Sequence, residues 1–220
     1  KHTIGLLKPV QGRVLIEGKD SRQVSVAENA HAVGYVFQSP THMLFAPTVR
    51  EELAFGPLNL NFSKEEIKKN SEESIVTLNL SGLEEYSPLG LSFGQQKRTT
   101  IAAVLAMRSK ILILDEPTAG QDYANYSRFM KVLCDVGPEN AKSLLTANFA
   151  ATLFITHDLD LAITYANRII LVGEKHIMAD GSPEEVLQDF DLLDRGRIRP
   201  TSLLQLNRQY YPQLQHFLPV

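Results

Sequence analysis

At 220 residues, 44% of them hydrophobic, the chain can bury one sizeable core with a smaller subdomain, which fits an ordinary globular protein and excludes a disordered one. Its net charge of −3 weighs against a nucleic-acid surface, because neutralising phosphates takes a clustered basic excess. The single cysteine, Cys134, excludes an internal disulfide; beside Phe129, Met130 and Leu133 it reads as a small core residue and points to a reducing, cytosolic compartment.

In chain order, Lys1 to Leu7 reads as the last turns of a helix stopped at Lys8-Pro9, since proline disfavours helix in the residue before it. It has no initiating Met and no signal-peptide pattern. Gly12 to Gly18 alternates as a short strand should, and Ser21 to His31 reads as loop and short helix. Val33 to Phe37 is a strand ending in Gln38-Ser39-Pro40. Thr48 to Leu60 predicts a short helix in which Phe55-Gly56-Pro57 marks a turn. Ser63 to Glu66 is a capping box opening a helix that lines up Ile67, Ile75 and Leu78 and runs to Gly82. Thr48 to Pro88 is thus a helical insert between strands.

Ser92-Phe93-Gly94-Gln95 is a second capping box, starting a helix through Lys97 to Met107 whose free N–H groups and positive dipole end can hold a phosphate. A capping box alone serves a core helix equally well. Ile111 to Leu114 is a buried strand delivering Asp115 and Glu116 at its tip, followed by the turn Gly120-Gln121-Asp122. Tyr123 to Leu133 predicts a helix broken at Gly137-Pro138. Leu153 to His157 is a strand ending in histidine, with Asp158 capping the helix through Leu159 and Tyr165. Ile169 to Val172 and His176 to Ala179 are strands, Ser182 to Glu185 opens another helix, and Asp191 to Val220 carries no legible chemistry. No apolar run approaches the roughly 18 residues that span a bilayer.

Strand and helix alternation from Ile111 to Val172 predicts a parallel sheet. Its strand tips would bring Gln38, Asp115, Glu116 and His157 to one edge, which suits a metal-bound polyphosphate and an attacking water. Adjacent acids repel, and a cation would relieve them. A lone strand-end histidine or glutamine would signify no more than a core or loop polar group.

Together these motifs resemble the ATP-binding cassette ATPases. Leu91 to Gln95 is similar to the signature loop, Ile111 to Glu116 to the Walker B strand and catalytic glutamate, Ala119 to Asp122 to the D-loop, Gln38 to the Q-loop and His157 to the switch histidine. The resemblance implies an α/β, P-loop NTPase-like fold: a mostly parallel sheet flanked by helices, one domain over 1–220, with a helical subdomain at 48–108 and a C-terminal extension at 191–220. Phe37 to Pro40, Leu44 to Val49, Ala54 to Leu60 and Asp180 to Pro183 resemble the ATPase subunits of energy-coupling-factor importers of vitamins, cobalt or nickel, although Thr41-His42-Met43 departs from their pattern.

That resemblance implies ATP and Mg²⁺ as cofactors. Glu116 would be the general base and His157 would steady the attacking water and γ-phosphate. Asp115 and Gln38 would serve Mg²⁺, with Gln38 reporting occupancy, while Ser92, Gly94 and Gln95 would hold the nucleotide of an opposite cassette, with Asp122 also nucleotide-binding. The implied partners are a second cassette (identical, different or fused in tandem), a transmembrane coupling subunit and a substrate-binding membrane subunit, at the cytoplasmic membrane face. Phe93 stands where the family has glycine, so an unusual backbone angle there would be hard to reach. No Gly-x-x-x-x-Gly-Lys-Ser/Thr loop occurs in the 220 residues; it is expected just upstream of Lys1, marking an N-terminal truncation that would not hydrolyse ATP usefully. The alternatives are a non-hydrolysing interaction module paired with a competent cassette, and a soluble, non-transport cassette ATPase.

Overall fold

A tight hairpin leads into the first of two units, Lys1–Ile155 and Thr156–Val220, in a computed structural model that describes residues 1–119, 130, 149–214 and 216–219. Strand β1 (Leu15–Ile16) pairs antiparallel with β2 (Lys19–Asp20), and the connecting Glu17 and Gly18 take φ 48° and 80°, the two left-handed angles that a two-residue hairpin requires. The single strand expected over Gly12 to Gly18 is therefore a hairpin. The first seven residues form turns rather than a helix. So short a segment cannot offset helix nucleation, and Gly5 bends it at φ 77°. Helix α1 (Val26–Ala30) begins at another capping box, Ser25 with Glu28, which explains how the polar 21–31 stretch orders.

The sheet that positions the site has the order β3 (Val33–Val36), β4 (Ile111–Asp115), β5 (Ala151–Ile155), parallel throughout. Between β3 and β4 lie helices α2 (Val49–Asn59), α3 (Lys64–Thr77) and α4 (Phe93–Ala106). Gly34 is the contact point of β3 with α4, since a Cβ there would collide with the Val104 side chain. Helix α2 continues through Phe55-Gly56-Pro57, which is not the turn the sequence suggests. Pro57 is buried in the last turn, and Gly56 lets Met107 approach to 2.6 Å of where a Cβ would stand. Packing thus overrides proline's cost of about 3 kcal/mol in a helix interior.

Helix α3 opens on the expected Ser63–Glu66 box but ends before Gly82. Asn79 adopts φ 51° and the Leu80 and Asn79 amides donate to Ile75 and Val76, the paired bonds of a left-handed helix stop. The expectations for Gly120, Gln121 and Asp122, for a helix over Tyr123 to Leu133 broken at Gly137-Pro138, and for Cys134 lie outside the described residues; Met130 is fully buried.

The second unit begins with α5 (Leu159–Tyr165), capped by Asp158 as expected. Strand β6 (Ile169–Gly173) pairs antiparallel with β7 (His176–Gly181), rather than adding a parallel strand as the alternation suggested, because only the short turn at Glu174 and Lys175 separates them. Arg168 closes the hairpin with two bonds to Asp180, at 2.7 and 2.8 Å. Helices α6 (Pro183–Leu187), α7 (Phe190–Arg195) and α8 (Ser202–Leu214) follow. The tail that carried no legible chemistry is structural: Leu193, Leu204 and Phe217 join Leu159, Ile163, Leu171, Val186 and Leu187 in one apolar core.

Candidate functional site

Strand β4 carries its acids on a rigid stem. Leu112, Ile113 and Leu114 are buried, and both neighbouring strands pair with them in register. The chain then leaves the sheet through Glu116, whose N–H donates to the Ile155 carbonyl at 2.8 Å and whose φ is 47°. A non-glycine residue pays about 1–2 kcal/mol for that left-handed angle. Such strain persists where surrounding bonds over-determine it, typically at working sites.

Asp115, half-buried, accepts a hydrogen bond from the Tyr35 hydroxyl at 2.7 Å. The register explains the reach: Tyr35 pairs with Ile113, two residues before Asp115, so the side chains share one face of the sheet. Burial, then the bond to Asp115, raises the phenol's pKa, so Tyr35 stays a donor that orients the carboxylate. Its ring packs edge-on against Phe37 at 4.8 Å.

Gln38 is exposed, two residues beyond β3. Beneath that turn lies Lys97 of α4, 1% exposed, whose Nζ donates to the Gln38 carbonyl at 2.9 Å and to the Phe37 carbonyl at 3.3 Å. Burial pulls its pKa down to about 8, against the opposing pull of Asp115 and Glu116. The C-terminal edge of β3 and β4 therefore gathers Gln38, Asp115 and Glu116 around one buried cation.

The amide and carboxylate oxygens at this edge are the hard donors Mg²⁺ prefers. Among the described residues no group of three or more His, Cys, Asp or Glu side chains could hold a metal.

At the other end of the signature stretch, Ser92 caps α4. Gln95 Oε1 accepts from the Ser92 amide at 3.0 Å while Ser92 Oγ accepts from the Gln95 amide. Ser92 and Phe93 are exposed, and a Cβ on Gly94 would meet nothing within 4 Å. Phe93 takes the first helical position without a positive φ, so the glycine it replaces is not needed for this backbone. Gln96 anchors this end by donating to the Leu89 and Leu91 carbonyls.

His157 is exposed in the second unit, two residues past the end of β5 and just before the Asp158 cap, so the expected strand through it stops at Ile155. Asp122 is outside the described residues. Sequence reasoning missed Tyr35, Lys97 and Gln96. Tyr35 was signalled only by alternation within β3, and its partner depends on a register that sequence does not state. Lys97 offered no signal beyond being a cation among the buried positions of α4.

The parallel sheet with helices between its strands is the α/β fold of the P-loop NTPase class, which solved ATP-binding cassette structures share. The chain belongs to the ABC transporter family: the family model "ABC transporter" matches residues 1–119. Among relatives, it is 38% identical over 200 residues to the energy-coupling factor transporter ATP-binding protein EcfA of Methanocaldococcus jannaschii, covering 90% of this chain and 68% of that one. A putative ABC transporter ATP-binding protein of Methanosarcina acetivorans is 38% identical over 199 residues, with 90% of this chain and 59% of the relative covered. The solved structure of cbiO1 from Clostridium perfringens, part of the ABC transporter complex cbiONQ, superposes with a TM-score of 0.71 at 31% identity, covering 93% of this chain and 79% of that one. The chain thus spans only part of each of these proteins. The family's cassettes are ATPases that bind ATP, typically with Mg²⁺.

Proposed function

We propose that this chain is an ATPase cassette of an energy-coupling-factor type importer, taking up a vitamin or transition metal, and that the β3–β4 edge is its hydrolytic half-site. The observation that carries the reading is the convergence of Gln38, Asp115 and the strained Glu116 at one sheet edge. Mg²⁺, held through Asp115 and Gln38, would neutralise charge on the β- and γ-phosphates. Glu116 accepts the proton of the attacking water as general base. Tyr35 fixes the orientation of Asp115. The sequence resemblance would give His157 the role of contacting the γ-phosphate and steadying the water. The N-terminal end of α4, with Ser92, Gly94 and Gln95, would receive the γ-phosphate bound on an opposite cassette, and Asp122 would contribute to the nucleotide site.

Hydrolysis also calls for a glycine-rich phosphate loop, which the 220 residues do not contain. Turnover is therefore expected from a chain that carries one and pairs with a second cassette. The membrane partners are a coupling subunit and a substrate-binding subunit, which put the cassette at the cytoplasmic membrane face. Among the described residues no helix is long and apolar enough to cross a membrane. The exposed edge-on pair of Phe45, just before α2, and Phe55 on it, 4.7 Å apart, supplies apolar surface for such docking.

The test is phosphate release by the loop-bearing chain with Mg²⁺ and ATP. Glu116→Gln is expected to abolish turnover while retaining ATP binding, and His157→Ala to lose most turnover. Wild-type release by Glu116→Gln would sink the general-base role, and by His157→Ala the phosphate role.

A further inference from the structure

We propose that Lys97 is a positioning residue that fastens the Gln38 turn to α4, tying the half-site for the chain's own nucleotide to the helix end that receives the partner's. This rests on the proposed function above.

The geometry is specific. Lys97 is among the largest fully buried side chains, and a buried ammonium costs several kcal/mol unless its donors are met. An apolar side chain would fill the same space without that cost, so the cation's bonds are what it contributes. Those bonds go to the carbonyls of Phe37 and Gln38, just where the chain has left β3, which ends at Val36, and sheet bonding stops. The positive charge also lies within the field of Asp115 and Glu116.

Lys97 stands five residues after Ser92 on one continuous helix, about 7.5 Å along its axis. Helix α4 is rigid on that scale: Gln96 pins its first turn to the Leu89 and Leu91 carbonyls, and Val104 packs against Gly34. A displacement of the Ser92 end on meeting a partner's nucleotide therefore reaches Lys97 Nζ undiminished, and through it the Gln38 backbone. Lys97 touches no reacting atom in this account. It sets where Gln38 stands.

The experiment is a double-mutant cycle in the dimer-forming chain that carries a phosphate loop, reading kcat, the KM for ATP and the half-saturating Mg²⁺ concentration. Lys97→Met is expected to lower kcat and raise the Mg²⁺ requirement about tenfold each, the scale of a lost hydrogen bond from a charged donor, with KM for ATP within about twofold. Lys97→Arg, which keeps charge and donors, recovers most of both. Adding Lys97→Met to Gln38→Ala makes it no worse, because the two act in series. Should Lys97→Met fail to fold, Lys97→Gln, which keeps one donor, takes its place in the cycle. Unchanged kcat and Mg²⁺ dependence, losses that multiply with those of Gln38→Ala, or no recovery by arginine overturns the inference. Failure of the underlying reading looks different: Gln38→Ala and Glu116→Gln would both keep wild-type turnover.

Discussion

The acid tip of β4 and the N-terminal end of α4 both belong to the stretch from Leu91 to Glu116, yet they are built on opposite terms. At the tip, Asp115 is held by Tyr35, Glu116 is forced to φ 47°, and a buried lysine sits beneath. At the helix end nothing is strained: Ser92 and Gln95 satisfy each other, and the surface around Ser92, Phe93 and Gly94 is open. Strain and buried charge mark a place where the chain works on its own ligand. An open, relaxed helix end awaits something brought from outside. On the proposed function, one sequence stretch would serve two half-sites.

The largest test of this contrast is at Glu116. Glycine relieves the left-handed angle, so Glu116→Gly should lose about 10³-fold in turnover, as for a missing general base, yet melt no lower than the parent. A melting temperature well below the parent's would show that Glu116 is there for the fold. Next comes the charge beneath the tip. Because Lys97's folded pKa lies near 8, below the 10.5 of a free lysine, the unfolded chain binds the extra proton between those values, and stability rises with pH across that window. Below about pH 8 the full cost, on the order of 3 kcal/mol, is present. Denaturant titrations should show wild type gaining on Lys97→Met from pH 8 to 10, and parallel pH curves would contradict the placement.

Smaller effects separate the two ends. Tyr35→Phe removes a bond to a carboxylate worth about 1.5–3 kcal/mol and should raise the Mg²⁺ requirement without altering dimer affinity. Ser92→Ala removes a cap worth about 1 kcal/mol and should act mainly on ATP-driven pairing, measured by sedimentation. Exchanged phenotypes would break the division between the ends.

The helix starts were open to reading because a capping box is local: Ser63, Ser92 and Ser182 each name their partner three residues on. The strand ending in Asp115 was equally plain, since four aliphatics before two acids admit little else. What sequence withheld was non-local. Pro57 continues a helix, with Met107 packed on Gly56. Tyr35 and Lys97 belong to the site only through a register and a helix-to-strand contact. The second unit's core, formed with Leu193, Leu204 and Phe217, was hidden in a tail whose residues are ordinary one by one.

The central claim is that Glu116 serves the chain's own nucleotide while the α4 end serves the partner's. Two loop-bearing chains test it directly, one with Glu116→Gln and the other with Ser92→Arg to block the helix end, each inactive alone. Mixed in equal amounts and allowed to exchange subunits, they form dimers in which one composite site carries both lesions and the other carries neither. The account predicts phosphate release well above either parent; release no higher than the parents would place both groups on the same nucleotide and contradict it.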